Sequence, residues 1–542
     1  MRPWPRSLAL CLPLVLSACA DDKSSDVIHE DDDTADAGTS GDGPFETTAD
    51  PTMGDASTGE AEPEFIPYPA RGIRLTEVYA NQGVQVPIVG PGGEWVDGTG
   101  RNAELIADRN TLIRGYWQLD GDFQPREIEA VLTLSYPDGS EEEARKVVMV
   151  QGESTPTDLD TNIWFVVPGE LITAGVQFQI ELFETDYGYE DLPAPGVTAY
   201  PTSPSYLGIE DASMELEVVL VPVQHDLAND CPVAPEITEE EMQYMADALY
   251  QHNPVQKVNI SVREMFTYSD SLRGFSGLLA ALSDLRSADG APAGVYYYGV
   301  VRPCDGGPDG VGGQAISIPG FPSQTNGWAR TAVGRWYSSL SSTANTFVHE
   351  VGHTQGRAHI YCSGEEGGTD PSYPYEGGDI GTWGFGVLDF SLHTPTNGKD
   401  YMTYCGNTWV SDWGWSKVVP YIREITTWSF ADAVNPEPSG SRILVGLFDE
   451  QSGEEHWFVT EGTVEGRAAN PADTFEFVSA DGLTRRLPST LQSMGDGGYN
   501  VAVPLPDDLV FDSALAVTRW HGDEARPIEN IAVRGQRLQL RQ

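Results

Sequence analysis

His349-Glu350-Val351-Gly352-His353-Thr354-Gln355-Gly356-Arg357-Ala358-His359 is the stretch on which the reading of this chain turns. On a helix, residues i and i+4 lie one above the other, so His349 and His353 can present two imidazoles to a single metal ion. Glu350, offset by one residue, reaches a metal-bound water rather than the metal. Gly356 lets the chain leave the helix with φ above zero and turn back, so that His359 supplies a third nitrogen. Three protein ligands with a fourth position left to water is what a catalytic zinc requires. The chain holds 9 His; three of them at this spacing, with the Glu and the Gly, should arise by accident on the order of once in 10⁵ such chains. The bland alternative is a core helix whose histidines bond main-chain groups.

Downstream lies Asp400-Tyr401-Met402-Thr403-Tyr404. The eleven residues above match, in every defined position, the extended zinc signature of the metzincin endopeptidases, and the downstream segment resembles the clan's Met-turn, with Met402 as the turn methionine. The resemblance covers about residues 213–428 and is strongest over 343–415. Within it, Asp370-Pro371-Ser372-Tyr373-Pro374-Tyr375, Ile380-Gly381, Met402-Thr403-Tyr404-Cys405 and Trp409-Val410-Ser411-Asp412 are similar to a group of exported bacterial metzincins whose substrates are mostly unassigned. The resemblance implies one catalytic Zn²⁺ held by His349, His353 and His359, with Glu350 as general base. In the astacin-like and serralysin-like branches the Tyr two residues after the Met approaches the metal. Tyr404 occupies that place, with plain packing as the other reading. Relatives bind substrate along an edge strand by main-chain hydrogen bonds. Gly313, Ala315 and Ser317, in Gly313-Gln314-Ala315-Ile316-Ser317-Ile318, are the candidates for that edge, although an ordinary sheet strand reads the same way.

The first 19 residues read as an export signal, with Arg2 and Arg6 near the start and an apolar run from Ser7 to Leu16. That run is too short to span a bilayer. Leu16-Ser17-Ala18-Cys19 resembles the bacterial lipobox, which would make Cys19 a lipid anchor; Ala18-Cys19-Ala20 also reads as a small-x-small cleavage site releasing a secreted protein. Without Cys11 and Cys19, four cysteines remain, and an even number in an exported chain favours two disulfides over buried thiols, with three pairings open. On the resemblance, Cys362 follows the third ligand and Cys405 the Met-turn, so these two should pair, leaving Cys231 with Cys304. No cysteine lies between Cys19 and Cys231, which argues against a cysteine-based latency.

Lys and Arg number 31 against 82 Asp and Glu, a formal charge of −51. Nucleic acid and anionic membrane surfaces are therefore excluded as partners on charge, leaving a lipid anchor as the expected link to a membrane. Calcium fits the acidity, for instance on the loop Asp305 to Asp309, but no stretch matches an EF-hand and such runs are commonly solvated faces. Residues 20–65 are rich in Asp, Glu, Thr, Ser, Gly and Pro and cannot bury enough apolar surface to fold, which predicts a disordered acidic linker.

Residues 66–212 alternate in a strand-like pattern, as in Ile128, Ala130, Leu132, Leu134 and Tyr136 before the turn Pro137-Asp138-Gly139, and in Val176, Phe178, Ile180 and Leu182. Short strands between Pro/Gly/Asp turns predict a β-sandwich-like domain. Residues 213–428 mix strands with helices: a capping box at Thr238 and Glu241 opens one helix, and Leu278, Leu279, Leu282 and Leu285 mark another. Residues 429–542 return to short strands. The expected architecture is an α+β metzincin-like catalytic domain flanked by N-terminal and C-terminal β-sandwich-like domains. The expected function is a zinc endopeptidase acting on extracellular proteins or glycoproteins, lipid-anchored at the cell envelope or secreted. The alternative is a surface adhesion or binding protein on a metzincin scaffold, but such a scaffold would be expected to have lost Glu350 or a histidine.

Overall fold

The computed structural model describes residues 65–228, 230–364, 367–431, 441–495, 497–511 and 515–534, all within one compact unit spanning Pro44–Gln542. The expected signal, Cys19 and all but the last residue of the acidic linker lie outside the described residues. The architecture is α+β and dominated by strands, with several sheets and four α-helices among the described residues. No described helix is long and apolar enough to cross a membrane.

The centre is a six-stranded sheet. Strand Glu215–His225 pairs in parallel with Lys257–Val262, Phe266–Tyr268 and Tyr296–Val301. Tyr296–Val301 pairs in parallel with Thr331–Arg335, and Gly313–Ala315 closes the edge as the antiparallel member. Successive strand residues point to opposite faces, and here both faces are buried. Leu216, Val218, Leu220, Tyr296, Tyr298 and Val300 face one core, while Val221, Val223, Tyr297, Val301 and Val333 face another. That is why these strands read as near-continuous apolar runs.

Helix α1 (Glu239–His252) begins at the expected capping box, in which Thr238 Oγ1 accepts from Glu241 N and the Glu241 carboxylate accepts from Thr238 N. Helix α2 (Ser276–Ala288) lies in the second core, and helix α3 (Leu340–Thr354) carries His349, Glu350 and His353. Helix α4 (Asp412–Ala431) has no counterpart among the expected elements; Pro420 falls inside it and removes a helical hydrogen bond. Trp415, Val418, Val419, Ile422 and Ile425 recur at helical spacing and are all buried, and that apolar face outweighs the missing bond.

The N-terminal strands form two four-stranded antiparallel sheets packed as a sandwich around residues such as Val78, Ile113, Phe165, Leu132 and Ile180. The same buried cluster continues into the central sheet, α1, α3 and α4. The C-terminal strands form a single eight-stranded hydrogen-bonded path. In it, strand Thr484–Ser493 pairs with Ala468–Val478 along most of its length and with Gly498–Leu505 only at its end. One strand thus passes between two layers, whose inner faces share a core containing Phe475, Phe477, Trp457 and Val503.

The N-terminal sandwich is joined to the central body by buried polar contacts. Arg109, fully buried, donates from Nε to Gln82 O (2.8 Å), from Nη1 to Val255 O (2.6 Å) and from Nη2 to Tyr250 O (2.8 Å). Its guanidinium lies 3.9 Å from the Tyr250 ring centroid. Burial pushes its pKa down to about 10, which keeps the group charged at neutral pH. Trp409 Nε1 donates to Gly83 O (2.8 Å), and Trp415 Nε1 to Glu104 O (3.0 Å). At Gly83 a Cβ would lie 2.7 Å from the Trp415 ring, so only glycine permits the approach.

Arg109→Ala removes the donor to the Gln82 and Val255 carbonyls, while the Tyr250 carbonyl keeps Asn253 N, and should cost about 3 kcal/mol, read as a lower urea midpoint. His252, with Nδ1 2.7 Å from Ala248 O, is held neutral by burial, its pKa lowered from 6.5 to about 4. Between those values the unfolded chain binds the proton more readily. Its contribution is therefore complete above pH 6.5 and is lost as the pH falls through that window, by up to about 3 kcal/mol. In His252→Gln the urea midpoint should depend less steeply on pH there.

Candidate metal centre

Helix α3 starts at Ser339, whose Oγ accepts from Ser342 N (3.3 Å), and ends where Gly356 takes φ +86°. There Gly356 N donates to His353 O (2.9 Å) and Arg357 N to Gly352 O (3.0 Å), closing the helix and reversing the chain towards His359. A Cβ at Gly356 would sit 2.5 Å from Pro319 O, so the turn needs glycine for space as well as for φ.

The three histidines meet. Their ligand atoms all lie within 4.8 Å of one another, and all three residues are buried. Each ring faces a main-chain carbonyl through Nδ1: His349 to Tyr401 O (2.8 Å), His353 to Arg357 O (2.7 Å) and His359 to Gly367 O (2.9 Å). A carbonyl only accepts, so each Nδ1 carries the hydrogen and each Nε2 of a neutral ring presents a lone pair. Burial, with the neighbouring imidazole of His359, pushes His349 down to about 3 and His353 well below the ordinary imidazole range, so both are neutral.

The Nε2 atoms of His353 and His359 are 3.0 Å apart. Two lone pairs cannot bond each other, whereas nitrogens on one tetrahedral zinc, at Zn–N of about 2.0–2.1 Å, stand roughly 3.3 Å apart. The buried Nε2 of His349 has no hydrogen-bond partner among the described residues. The donor set therefore fits a divalent metal, with one ligand fewer than a closed structural site.

The segment after the helix supports this cluster from below. Gly352 lies so close to the turn at Met402 that a Cβ would approach Met402 Sδ to 2.6 Å and the Tyr401 ring to 2.7 Å. Met402 is fully buried, and its carbonyl accepts from Ile360 N (2.9 Å), beside the third histidine. Asp400 holds the turn by accepting from Met402 N (3.0 Å) and from the Ser411 hydroxyl. It also faces the buried Arg357 guanidinium at 3.5 Å. Thus one residue inside the signature, Arg357, ties the loop of the third histidine to the turn.

Tyr404 stands at the rim, half exposed, with its hydroxyl 3.0 Å from His359 Nε2. Glu350 is buried, and both line a cleft of about 470 Å³, the size of a small-ligand or peptide site. Disulfides Cys362–Cys405 and Cys231–Cys304 are present; the first joins the third-histidine loop to the rim. Such bonds belong to chains exported to an oxidising compartment.

Gly313 and Ala315 form the edge strand of the central sheet, with Gly313 against Glu350, and Ser317 follows in the same segment. Ala315 and Ser317 are buried, under the C-terminal sheet. Asp305 accepts from Leu272 N and Ser271 Oγ (both 2.9 Å), which employs its carboxylate in the loop. The expected calcium has no His/Cys/Asp/Glu cluster of its own among the described residues.

Sequence reasoning missed the Arg357–Asp400 pair and the cleft wall contributed by Gln451, Gly495 and Gly497, in loops between strands of the C-terminal sheet. Arg357 carried a weak signal as a charge inside an otherwise buried motif. The C-terminal wall carried none, since its residues lie about 100 or more positions downstream of the helix.

No family model matches the chain, and no curated protein matches it. Among solved structures, a candidate beta-galactosidase from Bacteroides fragilis is 10% identical, covering 86% of this chain and 74% of that one, with a TM-score of 0.13. A superposition that poor carries no argument about fold or function.

The triad should take up about one zinc per chain on equilibrium dialysis followed by elemental analysis. His353→Ala should weaken that uptake by more than about 100-fold.

Proposed function

We propose that this chain is a zinc-dependent endopeptidase of the metzincin type, hydrolysing peptide bonds of extracellular proteins or glycoproteins. The observation that carries this reading is the convergence of three Nε2 lone pairs above a buried methionine turn, with Glu350 on the same helix and open to a cleft. His349, His353 and His359 would hold the ion. Bound zinc would supply Lewis acidity and a water of pKa near 7.

Glu350 takes the proton of the attacking water and delivers it to the leaving amine. The Tyr404 hydroxyl, at the open side of the triad, donates to the oxygen on which negative charge develops. Arg357, Asp400 and Gly352 keep the turn and the third histidine in register, so they position rather than react. The same reading has an exported protein held at the cell envelope through a lipid on Cys19.

The test is hydrolysis of a panel of extracellular proteins by the zinc-loaded chain. Glu350→Ala should lower turnover by about 10²- to 10⁴-fold while zinc content stays unchanged. Chelation should abolish turnover, and added zinc should restore it. Full zinc occupancy with no substrate cut would favour the adhesion reading instead.

A further inference from the structure

Gly313–Ala315 is the sheet edge beside the cleft, and a Cβ on Gly313 would strike Glu350 Cγ at 2.7 Å. Ile316 N donates to Thr331 O (2.9 Å), and Arg335 N donates to Gly312 O (2.9 Å). Because such bonds alternate along an antiparallel pair, residues 312, 314 and 316 face inward. The outward main-chain groups belong to Gly313, Ala315 and Ser317. An extended peptide adding to this edge would pair there.

Beyond Ala315 the edge is already engaged by side chains of the C-terminal sheet. Asn500 Nδ2 donates to Ile316 O (3.0 Å). Gln492 Oε1 accepts from Ser317 Oγ (2.8 Å) and Ile318 N (3.1 Å), and Gln492 Nε2 donates to Ile318 O. These bonds fall on Ile316, Ile318 and the Ser317 side chain and seat the C-terminal sheet on this segment, and the outward groups of Ala315 and Ser317 are buried beneath it. Arg467 braces the pair, donating to Gln492 Oε1 (3.3 Å), to Thr490 Oγ1 (3.0 Å) and to Asn500 Oδ1. Gly495, in the loop between strands Thr484–Ser493 and Gly498–Leu505, lies against the histidine cluster, where a Cβ would come within 2.2 Å of His359 Nδ1.

We propose that the C-terminal sheet closes one arm of the cleft, and that Gln492 and Asn500 are specificity-determining residues that limit the substrate to a short arm on that side. The cleft lining reaches Gly313 but not Ala315, which is buried, so the peptide has about one to three residues of strand on this side, at roughly 3.4 Å each. A peptide pairing in the more stable antiparallel sense runs its amino-terminal portion towards Ile316–Ile318. The short arm is therefore the amino side of the bond that is cut, and the substrate class narrows to peptides and proteins with an accessible amino terminus. This inference rests on the peptidase reading above and confines the bonds that are cut to those near an amino terminus.

The zinc-loaded full chain is tested on peptides of one central sequence whose amino arm grows from one residue to about eight, with products identified by mass spectrometry. Cuts within about three residues of the amino terminus are expected, with kcat/KM falling about tenfold or more once the arm exceeds that length. In Gln492→Ala/Asn500→Ala, the ratio of long-arm to short-arm turnover should rise. Equal turnover of long and short arms by the unaltered chain would overturn the proposal, and that comparison decides the matter even if the double variant fails to fold. A zinc-loaded chain that cuts no peptide of any length overturns the peptidase reading, and this inference with it.

Discussion

Nδ1 hydrogens donated to the carbonyls of Tyr401, Arg357 and Gly367 are the constraint on which the histidine cluster depends. Each bond fixes a tautomer as well as a ring orientation, so the three remaining nitrogens become lone pairs aimed at one region. The carbonyls come from separate places: the methionine turn, the end of helix α3 and the loop after the third histidine. None lies next in sequence to the imidazole it holds. The cluster therefore exists only when all three segments are in position, which couples metal affinity to the folding of the segments around it.

That coupling explains why close contacts and a buried charge pair gather beneath the site. Gly352 gives up a side chain so that Met402 can press on the helix, and Gly356 does so to let the chain pass Pro319. Arg357 and Asp400 are a buried pair whose desolvation is offset by further hydrogen bonds, since Asp400 also caps the turn through Met402 N and Ser411. Its role is better described as fixing register than as adding stability.

The surrounding layers act on the same centre from two sides. The N-terminal sandwich shares its core with α1, α3 and α4 and reaches the turn region through Trp409 and Trp415. Among the described residues it contributes nothing to the cleft lining, so it buttresses the site without plugging it. The C-terminal sheet covers the other face of the central sheet over α2 and continues to the cleft wall at Gln451, Gly495 and Gly497.

How much of this was legible depends on the range of the interaction. The spacing of His349, His353 and His359 with Gly356 was readable because helix periodicity and a left-handed glycine are local rules, and the structure brings the three rings together. The capping box at Thr238 and the alternation from Ile128 to Leu134 were readable for the same reason. The apolar face of α4 is present in the sequence too, but Pro420 within it argues locally against a helix, and local propensity does not weigh burial of Trp415 or Ile422. By itself the sequence determined that three imidazoles and the Glu350 carboxylate share one helix and the turn after it, and that four cysteines stand in the described chain. Only the tertiary structure decided which carbonyl orients each imidazole, that Arg357 faces Asp400, and that Gln492 and Asn500 bond the segment beyond Ala315. Those contacts join residues from 4 to 184 positions apart, and nothing in the local spacing of side chains encodes which main-chain group a donor will meet.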